Sequence, residues 1–174
     1  KFLISRSGYS KQGGFEIHTE NVNSALDLYD YFFEIGEPFN LRPGAPNHPE
    51  RIEGGLLSYG NDMDNGDNPF ECGFEKYVDL ESDITFLAKE SLKNIKKKGI
   101  EKKLMGVKIN TKTMDLSSSC FINDENGNRI GELRSGAYSP KFKMIVGIAM
   151  LKKNFTNPGY KFKINLNGNV ISGE

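Results

Sequence analysis

The chain has 174 residues, 37% hydrophobic and 26% charged, the composition of an ordinary soluble globular protein of one domain or two small ones. Lysine plus arginine and aspartate plus glutamate stand at 23 each, so charge gives no pull toward nucleic acid or an anionic membrane, and neither is expected as a partner. Two cysteines without C-x-x-C spacing and two histidines argue against a disulfide framework or zinc site, and no apolar run nears the roughly 18 residues that span a bilayer, so a reducing cytoplasm fits best.

The first residue is Lys1, and "KFLIS" reads as a strand already under way. We expect a piece of a longer protein, with removal of a tag as the alternative. In "SRSGYSKQGGFEIHTE", Ser5 to Glu20, a glycine-rich turn leads into a strand-like run with a carboxylate, Glu16, between Phe15 and Ile17. Side chains alternate along a strand, so if Phe15 and Ile17 enter a core, Glu16 and His18 face solvent or a binding site.

From Asn21 to Gly36, Val22, Ala25, Leu26, Tyr29, Phe32 and Phe33 fall on one face of an amphipathic helix. Thr19 or Asn21 can cap its start and Gly36 its end. Prolines break the chain through "EPFNLRPGAPNHPERIEGG", with Pro49 suited to the first turn of a short helix reaching about Glu53 and stopped by Gly54 and Gly55. Residues Asn61 to Asn68 are polar and turn-rich. A basic helix is predicted from Ile84 to Lys98 on Phe86, Leu87, Leu92 and Ile95, ending at Gly99.

Beyond Gly99 short apolar or alternating runs ("EKKLMGVKI", "SSCFIND", "RIGELRS", "KMIVGIAML", "YKFKINL") recur at a spacing of about ten residues, the pattern of a small antiparallel barrel or sandwich. Asn126-Gly127 and Asn167-Gly168 are hairpin turns. A boundary between Gly99 and Lys103 therefore separates an α/β region, 1–99, from an all-β domain, 100–174.

Several chemistries lack their full pattern. Asp62, Asp64 and Asp67 resemble a calcium loop, but Asp67 stands where glycine is needed and Gly73 where glutamate is; "DENGN" fails likewise and reads as a hairpin turn. Lys93, Lys96, Lys97, Lys98, Lys102 and Lys103 form a solvated helix face, with anion binding as the alternative. His18 and His48 lack a nucleophile motif, and Cys72 in "PFECGF" reads as a buried small side chain. No metal is expected.

Four segments taken together, "SRSGYSKQGGFEIHTE", "NVNSALDLYDYFFEIG", "ERIEGGLLSYGNDMD" and "NPFECGF", resemble in order and spacing the second half of the glycine-cleavage T-protein (aminomethyltransferase) family. Gly8, Tyr9, Ser10, Gly14, Phe15 and Glu16 match its G-Y-T-G-E-x-G-[FY]-E segment, while Lys11 and Gln12 replace the usual Gly-Glu pair. "KLMGVKI", "GELRSGAYSPKFKMIVGIAML" and "NPGYKFKINL" resemble its C-terminal barrel. The resemblance implies an α+β fold: the C-terminal part of a T-protein-like folate-binding fold, an α/β region with antiparallel strands, followed by a small antiparallel β-barrel.

The resemblance also implies a tetrahydrofolate site in which Glu16 is the pterin-binding residue and Tyr9 lines the same pocket. A pterin edge presents two adjacent N–H donors, which an ionised carboxylate can accept side by side. Tyr59, after the short helix, lines the pocket or packs. Typical aminomethyltransferases carry arginine where Asn47 stands, four residues before Arg51. The stretch from Asn40 to Phe74 looks most like the folate-dependent dimethylsulfoniopropionate demethylase branch, which moves a methyl group from a sulfonium to tetrahydrofolate. The alternatives are an aminomethyltransferase or a non-catalytic folate-binding module. The implied partners are a small sulfonium, folate, the remaining N-terminal half, where the catalytic residues are expected, and a second copy in a homodimer.

Overall fold

The computed structural model describes residues 1–9, 11–45, 47–114, 120–166 and 168–174. The fold is α+β, with antiparallel sheets and a closed barrel, and the chain divides into two compact units, Lys1–Leu56 and Leu57–Glu174.

In the first unit β1 (Phe2–Ser5) and β2 (Glu16–Thr19) form a two-stranded antiparallel sheet, paired from Phe2↔Thr19 to Ser5↔Glu16. The connecting turn takes left-handed backbone at Lys11 (φ 61°) and Gly13 (φ 76°). Helix α1 (Val22–Gly36) is capped by Asn21, whose side chain accepts from the Ser24 N–H at 3.2 Å. Gly36 is not the left-handed cap that its place at the helix end suggests. Its backbone is right-handed (φ −85°), the chain runs on into a 3-10 turn over Glu37–Phe39, and Asn40 takes the left-handed conformation (φ 58°). Glycine is needed at position 36 because a Cβ there would lie 2.7 Å from the Cβ of Leu41. Helix α2 (His48–Glu53) has Pro49 in its first turn and ends at Gly54.

Apart from Arg51 and Ile52, the side chains of this unit are exposed or half-buried among the described residues. Phe15, expected in a core, is 69% exposed, and Ile17 is half-buried. The alternation along β2 holds, with Ile17 and Thr19 half-buried and Glu16 and His18 exposed, but Phe15, just before the strand, is left largely uncovered.

The second unit opens with turns that collect Phe70 and Leu80 against helix α3, with Phe86, Ile95 and Ile100 packed around them. Helix α3 is Lys89–Lys98, five residues shorter at its start than Ile84–Lys98. Ala88 is left-handed (φ 67°), which breaks the helical path, and Leu87, placed on the apolar face by periodicity, is 96% exposed. At the other end Gly99 (φ 88°) stops the helix as expected.

Six strands then close an antiparallel barrel: β3 (Lys102–Ile109), β4 (Cys120–Asn123), β5 (Arg129–Ser139), β6 (Met144–Lys152), β7 (Phe162–Leu166) and β8 (Asn169–Gly173), in the order β3-β6-β5-β4-β7-β8. Ile109, Ile122, Ile130, Ile145 and Ile164, all fully or almost fully buried, form its centre. Strand β7 alternates buried and exposed residues, whereas β6 is buried on both faces, which explains the unbroken apolar run "IVGIAML". The turn at Asn126-Gly127 joins β4 to β5, with Asp124 Oδ1 accepting from the N–H groups of Asn126 (2.9 Å) and Asn128 (2.8 Å). Gly168 (φ 79°) lies between β7 and β8; Asn167 is outside the described residues. No described helix is long and apolar enough to cross a membrane.

Candidate functional site

Glu16 heads β2 and is exposed, opposite Ser5 at the open end of the sheet. The Ser7 hydroxyl, just past the end of β1, donates to Glu16 Oε2. An ionised carboxylate offers about four acceptor positions, and this bond takes one, so the geometry is compatible with two donors on one edge of a ligand. Tyr9 lies two residues further on, partly exposed, and Ser10 is outside the described residues.

The tip of the turn rests on α2. Gln12 Nε2 donates to Glu50 Oε2 at 3.2 Å, and the side chain of Lys11 passes Gly54 so closely that a Cβ there would lie 3.1 Å from Lys11 Cδ. The two residues that depart from the family's Gly-Glu pair are thus the ones that dock the turn. Beneath them Arg51, 3% exposed, donates from Nε to His48 Nδ1 at 3.3 Å and from a terminal nitrogen to the Leu56 carbonyl at 3.2 Å. Accepting at Nδ1 requires that atom of His48 to be unprotonated. Asn47 sits at the start of α2 in an extended conformation.

Tyr59 belongs to the second unit, is 65% exposed, and donates its hydroxyl to Asn65 Oδ1 at 2.7 Å. The aspartates nearby serve their own turns: Asp62 accepts from the Ser58 N–H at 2.7 Å and Asp64 from the Gly66 N–H at 2.7 Å. Asp67, its side chain 1% exposed, bonds the Lys102 ammonium and lies 3.9 Å from Arg134. Burial pushes its carboxyl up, but the Lys102 hydrogen bond, the Asp64 N–H and the charges of Lys102 and Arg134 outweigh this and hold it below the usual aspartate value.

Lys102 therefore ties the turn region to the barrel instead of extending a solvated helix face. Lys93 and Lys98, in contrast, are exposed and pair with Glu90 and Glu101 at 2.9 and 3.1 Å. Cys72 is buried near Asp67 and Glu71, where burial first and those carboxylates second push its thiol up to about 11. Cys120 is buried in the barrel.

Residues 1–82 match the GCVT N-terminal domain, and residues 102–174 match the glycine cleavage T-protein C-terminal barrel domain. The chain belongs to the glycine cleavage T-protein family. Among relatives of this T-protein chain, the dimethylsulfoniopropionate demethylase of Ruegeria pomeroyi is 34% identical over 91% of the chain and 43% of its own length. An aminomethyltransferase of Alkaliphilus metalliredigens is 30% identical over 99% of the chain and 46% of its own length. The crystal structure of glycine cleavage system aminomethyltransferase T from Bartonella henselae superposes with a TM-score of 0.86 at 26% identity, covering 99% of this chain and 47% of that one. The T-protein chain thus spans less than half the length of these relatives.

Proposed function

We propose that the protein containing this chain is a tetrahydrofolate-dependent methyltransferase that moves a methyl group from dimethylsulfoniopropionate to tetrahydrofolate, giving methylmercaptopropionate and 5-methyltetrahydrofolate. The observation that carries this reading is Glu16, an exposed carboxylate heading a strand behind a docked glycine-rich turn, in a chain 34% identical to a dimethylsulfoniopropionate demethylase. Glu16 accepts the paired donors of the pterin edge and Tyr9 lines the same pocket; Tyr59 is a further candidate for a folate contact. Residues 1–99 belong to the folate-binding region and 100–174 to the C-terminal barrel.

A sulfonium is an activated methyl donor, so the enzyme chiefly aligns it with the folate N5 and handles that nitrogen's proton. The groups that do so belong to the remaining half of the protein. Leu3, Phe15, Val22 and Phe39, all exposed here, are covered when that half is present. The likeness to aminomethyltransferases supports a second reading, transfer of an aminomethyl group from a lipoyl protein; Asn47, in place of that group's arginine, weighs against it.

Calorimetry of tetrahydrofolate binding to the full-length protein and its Glu16→Gln and Glu16→Ala variants tests the site. Loss of a charged acceptor should cost about 1.5–3 kcal/mol, roughly ten- to a hundredfold in affinity, and unchanged affinity would remove Glu16 from the folate site. Sulfonium-dependent formation of 5-methyltetrahydrofolate supports the demethylase, dependence on a lipoyl protein supports the aminomethyltransferase, and binding without turnover supports a non-catalytic module.

A further inference from the structure

We propose that Ser7 is a positioning residue for Glu16 in ligand recognition, an inference that rests on the folate reading of Glu16. The β1–β2 ladder ends at Ser5↔Glu16, so the Glu16 side chain projects where the backbone no longer restrains its surroundings. A free glutamate side chain has three rotatable torsions, and fixing them on binding costs part of the interaction free energy. The Ser7 hydroxyl donates to Oε2 from across the turn and holds the carboxylate in one orientation before any ligand arrives.

Ser7 can do this because its loop is fixed at both ends. One end is the β1 pairing at Ser5, and the other is the docking of Lys11 against Gly54 and of Gln12 on Glu50 at 3.2 Å. Between them, left-handed backbone at Lys11 and Gly13 turns the chain back toward β2. A donor on a loop anchored in this way fixes the carboxylate, whereas one on a free loop would merely follow it. The serine keeps one carboxylate oxygen engaged and leaves the other, with the remaining lone pairs, to the paired donors of the ligand.

The test is a double-mutant cycle on the full-length protein, with tetrahydrofolate affinity measured by calorimetry for wild type, Ser7→Ala, Ser7→Thr, Glu16→Gln, Glu16→Ala and the Ser7→Ala/Glu16→Ala pair, since alanine, unlike glutamine, leaves no side-chain oxygen for Ser7 to donate to. Ser7→Ala should weaken binding about five- to tenfold, the scale of one hydrogen bond to a charged group with an exposed donor. Ser7→Thr keeps the hydroxyl and should stay within about twofold of wild type. In the Glu16→Ala background, removing Ser7 should cost nothing further. Unchanged affinity in Ser7→Ala, with a loss in Glu16→Gln, would overturn the role of Ser7 and leave the folate reading standing. An equal loss from Ser7→Ala in both backgrounds would also overturn it, because Ser7 would then act independently of Glu16. Unchanged affinity in Glu16→Gln would refute the folate reading itself, and the role of Ser7 with it.

Discussion

Replacing Asp67 with asparagine tests whether the Asp67–Lys102–Arg134 cluster holds the turn region onto the barrel. The side chain keeps its shape and can still accept from the Asp64 N–H at 3.2 Å, so the change removes charge and little else. Breaking a buried ion pair costs about 3–5 kcal/mol when the partner is stranded, whereas an exposed pair is worth about 0–1. Asp67 is 1% exposed, but Lys102 keeps 35% of its side chain accessible and has Glu71 at 3.9 Å, and Arg134 retains Glu132 at 2.9 Å. Neither cation is stranded, so the expected loss lies between the limits, about 1.5–2.5 kcal/mol. Lys102→Met instead leaves the buried carboxylate with Arg134 at 3.9 Å as its nearest cation, and should cost more, about 3 kcal/mol.

Urea unfolding of the full-length protein, with unchanged m-values, reads both numbers. The pH dependence adds a signature. Because the folded carboxyl lies below its ordinary value, the unfolded chain takes up the proton first as pH falls. Wild type should therefore hold its advantage over Asp67→Asn above about pH 3.9 and lose it as pH drops through the lower folded value. A loss in Asp67→Asn below about 0.5 kcal/mol, or a milder effect in Lys102→Met than in Asp67→Asn, would refute the assignment.

Two further outcomes are expected. Ala88→Gly relieves a left-handed alanine worth about 1 kcal/mol at the cost of a more flexible unfolded chain, so stability should rise by about 0.5 kcal/mol, read as a higher melting temperature; a fall would contradict the strain argument. Cys72, with its thiol pushed up to about 11, holds about one thiolate in a thousand at pH 8, so iodoacetamide should leave it unmodified in the folded protein and label it after denaturation; rapid native labelling would contradict its burial.

Much of the architecture is written in local patterns. The spacing of Val22, Leu26, Tyr29 and Phe33 defines α1, and the apolar runs after Gly99 define barrel strands, because each pattern belongs to one element. The start of α3 was not legible: Leu87 fits the helical period, but the backbone at Ala88 breaks it, and no residue type announces a left-handed alanine. The Asp67 cluster was hidden for another reason. Its members come together only when β3 and β5 pair on either side of β6 and the turn region packs on them, and Arg134 sits at a register shift between Leu133 and Ser135. At the site, Glu16 stands out because a charge between Phe15 and Ile17 demands an explanation. Ser7 does not, since a serine beside glycine reads as turn material until the fold returns it to the carboxylate.

Barrel closure also decides where the chain can recruit other strands. Among the described residues each barrel strand has a neighbour on both sides, although β3 and β8 meet only at Ile109↔Gly173, so no barrel strand is left wholly unpaired along one side. The β1–β2 ribbon is the opposite case: among the described residues each strand is paired on one side only, and the outward N–H and C=O groups form a template for sheet extension. A ribbon of two strands is at best marginally stable by itself. Its outer rims are therefore where backbone from elsewhere can add, extending the sheet that presents Glu16.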